Sequence, residues 1–283
     1  MFTKIKEKLS HNSILLEDAL SSYYEYTDAD YGELIDSQKY SLLGGGKRIR
    51  AFLVMEFCRL FGGEERAAIP YACAVEMVHA YSLVHDDLPC MDNDDMRRGK
   101  PSNHKAYGEA LALLAGDSLL TKAFWVLSTN PNCSSSANAK AVEILSCAAG
   151  CDGMIGGQTI DIKAEKSKLD FDTLLRLHSL KTGKLICASA MLGCVAAGVC
   201  DGERFDSAKT YAEKIGLAFQ IVDDILDYEN GERGVNSFLS FMSLEEAKKY
   251  ARDVSYEAVE SIKKYDTENT FGSLAEYLTQ RQY

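Results

Sequence analysis

The amino-acid sequence predicts an all-α protein, and three observations support that fold class. The chain has 283 residues but only four prolines, so long segments lack the residue that interrupts helices: Pro70, Pro89, Pro101 and Pro131. The segments between them are rich in Ala, Leu, Glu and Lys, which favour helix. Hydrophobic residues make up 46% and charged residues 26% of the chain, and a chain of this length can bury one large core. We therefore expect a single helical domain over residues 1–283.

The net charge limits the class of binding partner, and the cysteines indicate the cellular compartment. The formal net charge is −11, from 31 Lys and Arg against 42 Asp and Glu, which argues against nucleic acid. A polyanionic substrate would need metal ions and a local basic cluster to overcome the repulsion. The nine cysteines form no CxxC pair and have no histidine partners at zinc spacing, so we expect a reducing, cytoplasmic compartment. Cys147 and Cys151 lie i,i+4 in an Ala-rich segment and are interpreted as small buried side chains.

Neither a signal peptide nor a membrane span is predicted. The first nine residues mix charges without an apolar stretch, which is not the pattern of a signal peptide. The longest uncharged run, residues 185–200, is short for a membrane span and rich in small residues. We therefore expect no membrane span, and at this position a helix that is buried on all sides.

The first predicted helix covers residues 4–26, where apolar residues recur at helical spacing. A glycine turn at residues 44–46 then opens onto a helix that continues to Leu60. Backbone N–H groups at a helix start, with Lys47 and Arg50 one turn apart on one face, make an anion-binding site. Glycines alone are a weak signal, so a loop with solvated basic residues is the alternative.

An apolar helix predicted over residues 69–87 ends in an acidic stretch. Five aspartates fall within ten positions, and two arginines and a lysine follow: Asp86, Asp87, Asp92, Asp94, Asp95, Arg97, Arg98 and Lys100. Carboxylates beside cations suit an Mg²⁺-bound phosphate or diphosphate, because Mg²⁺ takes few carboxylates and shares them with substrate phosphates. Pro89 should end the helix and fold the later aspartates back. A solvated acidic loop is the alternative, but it explains neither the apolar helix nor the arginines.

The middle of the chain continues the helical pattern. One helix opens at residues 108–117, and the polar loop at residues 130–136 is not interpreted as a domain boundary. The next helix carries Gly156 and Gly157, which allow close helix packing. Residues 181–184, Lys-Thr-Gly-Lys, interrupt an apolar stretch, where we expect a kink that frees a backbone carbonyl.

A second acidic motif lies far downstream, on a helix predicted to start near Tyr211. Asp223 and Asp227 in this motif are i,i+4 and share one helix face. Two charged amphipathic helices are predicted to follow, over residues 244–264 and 271–281. We expect the two acidic motifs to face each other, with the other helices as their frame.

Together these motifs resemble those of the short-chain trans-polyprenyl diphosphate synthases, most closely the bacterial farnesyl diphosphate synthases. The resemblance covers essentially the whole chain and rests on the first acidic stretch and on four further motifs in the right order: GGKRIR at 45–50, GGQTID at 156–161, KTG at 181–183 and FQIVDDILD at 219–227. The family implies an all-α bundle around a deep central cavity and a homodimer. It also implies Mg²⁺ as the cofactor, with Mn²⁺ as a substitute.

In the reaction that the resemblance implies, an allylic diphosphate, dimethylallyl and then geranyl, ionises at C1. The double bond of isopentenyl diphosphate attacks the cation, and loss of a proton leaves the chain one isoprene unit longer. The metal stabilises charge on the leaving diphosphate. The released diphosphate is the implied proton acceptor, so no protein base is named.

The family's site residues carry over onto matching positions of this sequence. Six aspartates would hold the metal: Asp86, Asp87, Asp92, Asp223, Asp224 and Asp227. Four residues would bind isopentenyl diphosphate in a metal-free basic pocket: Lys47, Arg50, His79 and Arg98. Arg97 and Lys181 would bind the allylic diphosphate. Lys181, Thr182 and Gln220 would form the catalytic group, in which the oxygens of the last two face the allylic cation without trapping it.

Product length should be set beneath the first acidic motif. Tyr81 and Ser82 precede Asp86 by five and four residues, about 6–7.5 Å along the helix. By the resemblance, Tyr81 would close the pocket at a C15 product, because geranylgeranyl synthases carry a smaller or more flexible residue there. Ordinary core packing of Tyr81 is the alternative, and a geranylgeranyl diphosphate synthase is the second candidate function.

One segment departs from the family pattern. The family has a longer loop with a lysine after the second motif, whereas residues 228–237 lead quickly into Phe238, and Val235 falls near the place of that lysine. A real loss should weaken diphosphate binding and closure, and a segment missing from the sequence is the other interpretation. Two rival classes are a class I terpene cyclase, which would not need the basic pocket, and a non-catalytic synthase subunit, which would have damaged aspartate motifs.

Overall fold

The computed structural model describes residues 2–25, 30–164, 167–232 and 234–279. Its helices, in chain order, are α1 Thr3–Ser22, α2 Gly32–Leu42, α3 Ile49–Leu60, α4 Glu65–Asp86, α5 Asn103–Tyr107, α6 Glu109–Ser128, α7 Ser135–Ala149, α8 Met154–Ala164, α9 Phe171–His178, α10 Lys184–Ala196, α11 Gly202–Glu229, α12 Leu244–Ile262 and α13 Thr270–Thr279. A π-helical turn, Ser179–Gly183, joins α9 to α10, and a 3₁₀ turn, Phe238–Ser240, lies between α11 and α12. Two short strands pair antiparallel: β1 Met96–Arg97 and β2 Lys100–Pro101. The predicted all-α class is confirmed.

Most of the predicted helices lie where the sequence places them, and the differences are at their ends. The first helix ends at Ser22, short of the predicted end at residue 26, which itself lies outside the described residues. The predicted end of the last helix, residue 281, also lies outside them. The helix predicted to start near Tyr211 begins earlier, at Gly202, because its first turns are charged and carry little apolar periodicity.

The sequence did not predict α2. Four of its residues are buried, and two of these are polar: Ile35, Ser37, Gln38 and Leu42. The buried polar pair is satisfied inside the protein, where Ser37 donates to Asn103 at 2.8 Å and Gln38 accepts from Tyr24 at 3.1 Å. A helix whose buried face is half polar has no clear hydrophobic period, which is why the pattern was missed.

α4 forms the centre of the core. Fourteen of its 22 residues are buried, and it packs against α3 on one side and α6 on another. Tyr71 on α4 is fully buried and donates to Asn138 of α7 at 2.7 Å. Because α4 is apolar on most sides, it cannot be stable exposed to water, and the other helices must surround it.

A second, smaller cluster of buried residues holds the far end of α11. Its members come from α9, α11, the 3₁₀ turn and α12: Leu174, Ile221, Val222, Ile225, Phe238, Ala247 and Ala251. Phe238 is fully buried there and packs edge-on against Phe171 with ring centroids 6.2 Å apart. This cluster fixes the helix turn that carries the second acidic motif.

Residues 185–196 of the uncharged run lie in α10, where ten of the thirteen helix residues are buried, so the predicted buried helix is confirmed for that part of the run. The helix ends at Ala196, before the end of the run at residue 200. α4 and α6 have the length and hydropathy of membrane-spanning helices, but the apolar window of α4 is 72% buried within the protein. Burial of that extent is typical of a core helix.

The nine cysteines are all free thiols, and one prediction about them was wrong. Cys147 and Cys151 are exposed, not buried. The buried face of α7 is formed by residues such as Ile144, Leu145 and Ala148. Cys147 lies off that face, and Cys151 follows the end of the helix at Ala149.

α10 crosses α3 at a close approach that requires glycine. A Cβ atom at Gly193 would lie 2.4 Å from the carbonyl oxygen of Val54 and 2.7 Å from the Cβ atom of Phe57. Neither neighbour can move without shifting α3, because both lie in the fully buried core. The absence of a side chain at Gly193 therefore allows the two helices to lie this close.

We predict that Gly193→Ala lowers the free energy of unfolding by about 2 kcal/mol or more, because overpacking forces the helices apart. Gly216→Ala is the matched control on α11, where the nearest atom to a new Cβ atom would be 3.4 Å away. That variant should be neutral or gain up to about 1 kcal/mol from helix propensity. Urea unfolding measures both, and equal stability of the two variants would contradict the prediction.

Candidate active site

Two cavities open beside α4. The first, the deep cavity, has a volume of about 550 Å³ and lies between α4, α6, α8 and the π-helical turn. The second, the basic pocket, has a volume of about 490 Å³ and is bordered by α3, α4, α11 and α13. His79 and Arg50 line both cavities, so the two spaces share a wall.

The chain turns back on itself in the first acidic motif. α4 ends at Asp86, three residues before Pro89. The backbone N–H of Asp92 then donates to the carbonyl of Asp86 at 2.9 Å, and Asn93 takes a left-handed φ of 54°. This turn brings Asp92 beside Asp86 although six positions separate them. The predicted return of the chain at Pro89 is confirmed.

Asp86 and Asp92 hold their carboxylates where water is partly excluded. Burial raises the pKa of Asp86 to about 6; the charge of Lys181 opposes this rise and that of Asp92 adds to it. Burial also raises the pKa of Asp92, again against the charge of Lys181. A carboxylate whose charged form is disfavoured by burial gains most from an added cation. The pair therefore fits a divalent metal ion.

Asp87 faces a different neighbour. Its side chain is 2% exposed and pairs with Arg97, whose Nε lies 2.9 Å from Oδ1 of Asp87. Arg97 also lies 3.3 Å from Asp94, so two carboxylates hold its guanidinium. Asp87 thus fixes Arg97 on β1, while the adjacent Asp86 lines the deep cavity. A metal-binding role for Asp87 stays a prediction.

The second acidic motif divides in the same way. Asp223 and Asp227 lie i,i+4 on α11, as predicted. The carboxylate of Asp224 accepts a 2.7 Å hydrogen bond from the backbone N–H of Phe238. Burial raises the pKa of Asp224 to about 6, and the hydrogen bond from Phe238 opposes the rise. Asp224 ties the 3₁₀ turn to α11, and Asp223 and Asp227 share the neighbouring face.

Lys181 links the π-helical turn to the first acidic motif. It forms an ion pair with Asp161 of α8, and its positive charge lowers the pKa values of Asp86 and Asp92 against the effect of burial. The irregularity predicted at residues 181–184 takes the form of this π-helical turn, Ser179–Gly183, a geometry that often marks functional sites. The freed backbone carbonyl expected there stays a prediction.

Thr182 links the same turn to the second acidic motif. Its hydroxyl donates a 3.0 Å hydrogen bond to Oε1 of Gln220, and Nε2 of Gln220 donates to Asp223 at 3.2 Å. Thr182 lines the deep cavity. Lys181 of the turn therefore acts on the first acidic motif through its charge, and Thr182 reaches the second through Gln220.

Gly157 allows α8 to pack directly on this turn. A Cβ atom at position 157 would lie 2.3 Å from the backbone nitrogen of Lys181, closer than any normal contact. At Gly156 a Cβ atom would lie 2.0 Å from the carbonyl oxygen of Cys151. Cys151 belongs to the turn just before α8, so the predicted close packing against another element is confirmed at Gly157 and not at Gly156. The packing at Gly157 places α8, with Asp161, against the turn that carries Lys181.

The basic pocket collects positive charge from three segments. The four predicted residues Lys47, Arg50, His79 and Arg98 all line it. The prediction that Lys47 and Arg50 share one helix face was wrong. α3 begins at Ile49, so Lys47 precedes the helix. Arg48 takes a left-handed φ of 49° between them. This turn, not helical spacing, directs Lys47 and Arg50 to one pocket.

A buried carboxylate that the sequence reasoning missed supports this turn. Glu76 of α4 accepts a 3.1 Å hydrogen bond from Arg48 through Oε2, and a 3.2 Å bond from the backbone N–H of Ala51 through Oε1. The side chains of Glu76 and Arg48 are 2% and 4% exposed. Glu76 is the single acidic residue in the apolar run at residues 67–84. A lone carboxylate in a run that will be buried needs a partner, so its isolation could have identified it from the sequence.

The pocket's histidine is uncharged. Burial lowers the pKa of His79 well below its ordinary value, and the charges of Arg50 and Arg98 lower it further. Burial also lowers the pKa of Arg50, while the charge of Glu76 opposes this. His79 can therefore offer a hydrogen bond to a bound anion, and the arginines and Lys47 supply the charge.

Tyr81 and Ser82 both line the deep cavity, a little more than one helical turn before Asp86. Tyr81 is 5% exposed, and its ring packs edge-on against His85 with centroids 5.7 Å apart. Its hydroxyl is buried without a hydrogen-bond partner among the described residues. His85 is held in turn by a 2.9 Å contact between Nε2 and the carbonyl oxygen of Leu113. The tyrosine ring is thus a fixed part of the cavity wall.

The described residues do not bring three or more His, Cys, Asp or Glu side chains together as a ready metal cage. The available donors are pairs of carboxylates, the oxygen ligands that Mg²⁺ prefers. Mg²⁺ also binds proteins through one or two carboxylates and completes its shell with waters and substrate phosphates. The pairs Asp86 with Asp92 and Asp223 with Asp227 fit that mode of binding.

Comparison with known proteins agrees with this arrangement. The family model described as polyprenyl synthetase matches residues 33–237. The chain is 40% identical over 262 residues to the farnesyl diphosphate synthase of Bacillus subtilis (strain 168), with 88% of each chain covered. It is 39% identical over 262 residues to the chloroplastic geranylgeranyl pyrophosphate synthase of Catharanthus roseus, with 87% of this chain and 73% of the other covered.

Solved structures match over nearly the whole length. An apo FPP/GFPP synthase from Zymomonas mobilis superposes with a TM-score of 0.92 at 36% identity, covering 99% of this chain and 100% of the other. A geranyltransferase from Legionella pneumophila superposes with a TM-score of 0.93 at 31% identity, covering 99% of both chains.

We predict that Asp86→Asn stabilises the metal-free protein by about 1–2 kcal/mol at neutral pH, allowing for the partial exposure of this carboxylate. The folded-state pKa of about 6 lies above the ordinary 3.8. The folded protein therefore binds more protons than the unfolded chain between these values, and wild-type stability falls as the pH rises through that window. The advantage of the variant should vanish below about pH 4.

Urea unfolding in the presence of a chelator at pH 4.5 and pH 7.5 measures this dependence. Asp253→Asn, which removes an exposed charge on α12, is the control and should change stability little at either pH. A constant difference between Asp86→Asn and the wild type across this range would contradict the prediction.

Proposed function

The chain belongs to the polyprenyl synthetase family, and we propose that within it the chain is a farnesyl diphosphate synthase. It condenses isopentenyl diphosphate first with dimethylallyl diphosphate and then with geranyl diphosphate, head to tail. The observation that carries this proposal is the pair of adjacent cavities. One is apolar and edged by carboxylates, the other is basic, and His79 and Arg50 line both.

The deep cavity suits the allylic substrate. Its apolar lining accepts a prenyl chain, and the carboxylates of Asp86, Asp92, Asp223 and Asp227 would hold Mg²⁺, with Mn²⁺ as a substitute. The metal, when bound, stabilises the negative charge that develops on the leaving diphosphate. Arg97, which Asp87 fixes on β1, and Lys181 add positive charge on the same side. We assign Asp87 and Asp224 chiefly to holding this frame.

The basic pocket suits isopentenyl diphosphate. Lys47, Arg50 and Arg98 supply charge for a diphosphate without a metal, and the neutral His79 adds a hydrogen bond. Glu76 supports the turn at Arg48 and the start of α3, and it does not line the deep cavity. The shared wall would place the double bond of isopentenyl diphosphate next to the allylic substrate, which is the proximity that a condensation requires.

Thr182 and Lys181 face the point where the allylic cation would form. The hydroxyl oxygen of Thr182 offers lone pairs towards the cavity, because its proton is donated to Gln220. In this arrangement Gln220 orients the hydroxyl of Thr182, and the dipole that faces the cation is that of the Thr182 hydroxyl. Neither the hydroxyl of Thr182 nor the amide of Gln220 is nucleophilic enough to trap the cation. The released diphosphate takes the final proton.

The assembly and the compartment are part of the proposal. We treat residues 1–283 as one polyprenyl synthase domain that forms a homodimer in the cytoplasm. Leu113, Leu114 and Trp125 of α6 are large exposed apolar residues, which suits burial against a second copy. The free cysteines suit a reducing compartment.

We predict that the purified protein, given Mg²⁺, dimethylallyl diphosphate and labelled isopentenyl diphosphate, makes a C15 product. Tyr81→Ala should yield longer products, because removal of the ring deepens the cavity below Asp86. Tyr81→Phe keeps the ring and removes a hydroxyl that has no described partner, so it should still stop at C15. Chromatography of the dephosphorylated products measures the lengths.

A C20 product from the wild type would keep the chemistry but assign a geranylgeranyl synthase and overturn the role of Tyr81. Cyclic products without isopentenyl diphosphate would indicate a terpene cyclase. An absence of any elongation would contradict the synthase proposal and favour a non-catalytic subunit.

We predict that Glu76→Gln raises the KM for isopentenyl diphosphate at least about tenfold and the KM for the allylic substrate less than about threefold. Loss of the charge of Glu76 leaves Arg48 without its buried counterion and frees the start of α3. Glu17→Gln is the matched control, since Glu17 lies 3.7 Å from the same guanidinium but is 44% exposed. Steady-state kinetics with each substrate varied in turn would contradict the prediction if both KM values rose equally.

A further inference from the structure

His178 lies behind the catalytic group and has no role in the function proposed above. It is the last residue of α9, immediately before the π-helical turn, and four positions before Thr182. Its Nδ1 atom lies 3.1 Å from Oε1 of Gln220, the same oxygen that accepts the Thr182 hydroxyl at 3.0 Å. His178 and Thr182 thus converge on one amide oxygen.

The charge of Asp223 favours one orientation of the Gln220 amide. A carboxylate only accepts hydrogen bonds, and the amide atom 3.2 Å from Oδ2 of Asp223 must therefore be the NH₂ group. The amide oxygen then faces His178 and Thr182. Because that oxygen only accepts, the imidazole must carry its proton on Nδ1, and the threonine must point its hydroxyl proton away from the cavity.

The surroundings of His178 hold the ring in this orientation. The imidazole stacks on Phe238 with centroids 5.2 Å apart and an interplanar angle of 17°, and Phe238 is fully buried. The Nε2 atom is buried without a hydrogen-bond partner among the described residues. Burial is also the main cause that lowers the pKa of His178, against the hydrogen bond to Gln220. The ring is therefore neutral, with one proton to donate.

We infer that His178 is a positioning residue that fixes the Gln220 amide and thereby keeps the lone pairs of Thr182 directed at the allylic cation. Without the donor at Nδ1, the amide could turn and offer its NH₂ group to Thr182. The hydroxyl would then accept from Gln220 and turn its proton towards the cavity, so its dipole would oppose the cation. This inference rests on the proposed function for its effect on rate, but the hydrogen-bond arrangement stands apart from it.

The kinetic test compares two substitutions. His178→Phe keeps a flat ring on Phe238 but removes the donor, and kcat should fall about 10–100-fold with both KM values within about threefold of the wild type. His178→Asn returns an N–H donor near the Nδ1 position and should recover part of kcat. A wild-type kcat in His178→Phe would overturn the inference, as would equal losses in both variants.

A double-mutant cycle tests whether His178 acts through Gln220. In the Gln220→Ala background, His178→Phe should lower kcat less than about twofold further, because the amide it positions is gone. A full additional 10–100-fold loss would contradict the inference. Thermal unfolding of each variant identifies any loss that comes from misfolding.

The third measurement needs no substrate. In ¹⁵N-labelled protein, the imidazole signals that His178→Asn removes belong to His178, and they should have the shifts of a neutral ring protonated at Nδ1. A ring protonated at Nε2, or doubly protonated, at pH 7.5 would overturn the inference. If the wild type failed to elongate any substrate, the proposed function would fall, and this measurement would still decide the position of the proton.

Discussion

The burial of α4 is the constraint on which the rest of the structure depends. One helix, covered on most sides by other helices, carries Glu76, His79, Tyr81 and Asp86. Ten residues separate Glu76 from Asp86, about 15 Å along a helix. The basic pocket and the first acidic motif are therefore held at a fixed distance from each other by one buried helix. Any change that shifted α4 would alter both sites together, and the close crossing of α3 and α10 at Gly193 restrains that shift.

Electrostatic balance explains how such a helix tolerates its charges. Glu76 is paired with Arg48 and a backbone N–H group, so its burial is compensated inside the protein. Asp86 has no comparable partner in the part of the chain that the structure describes, and burial raises its pKa to about 6. The contrast distinguishes a carboxylate that is compensated inside the protein from one that would gain from an added cation. The same contrast holds in adjacent pairs, since Asp87 pairs with Arg97 whereas Asp86 lines the deep cavity.

The π-helical turn joins these sites into one centre. It lies against Gly157 of α8 at a distance that leaves no room for a side chain. Lys181 acts on the first acidic motif, and Thr182 reaches the second through Gln220. The extra residue of a π-helical turn changes the direction of successive side chains. Two neighbours along the chain can therefore serve two motifs that lie far apart in sequence.

The sequence by itself determined the all-α class, the two acidic motifs, the return of the chain after Pro89 and the residues of the basic pocket. The first three follow from local chemistry: proline spacing, helical periodicity and charges clustered within a few positions. Of the pocket residues, Lys47 and Arg50 follow in the same way, whereas His79 and Arg98 came from the resemblance to the polyprenyl diphosphate synthases. Only the tertiary structure decided that Asp87 pairs with Arg97 and Asp224 with the backbone of Phe238, and that Glu76 contacts Arg48 and His178 contacts Gln220. The exposure of Cys147 and the polar face of α2 were also decided there. In each case the partner lies many residues away in sequence, and a residue's environment depends on which distant helix packs against it.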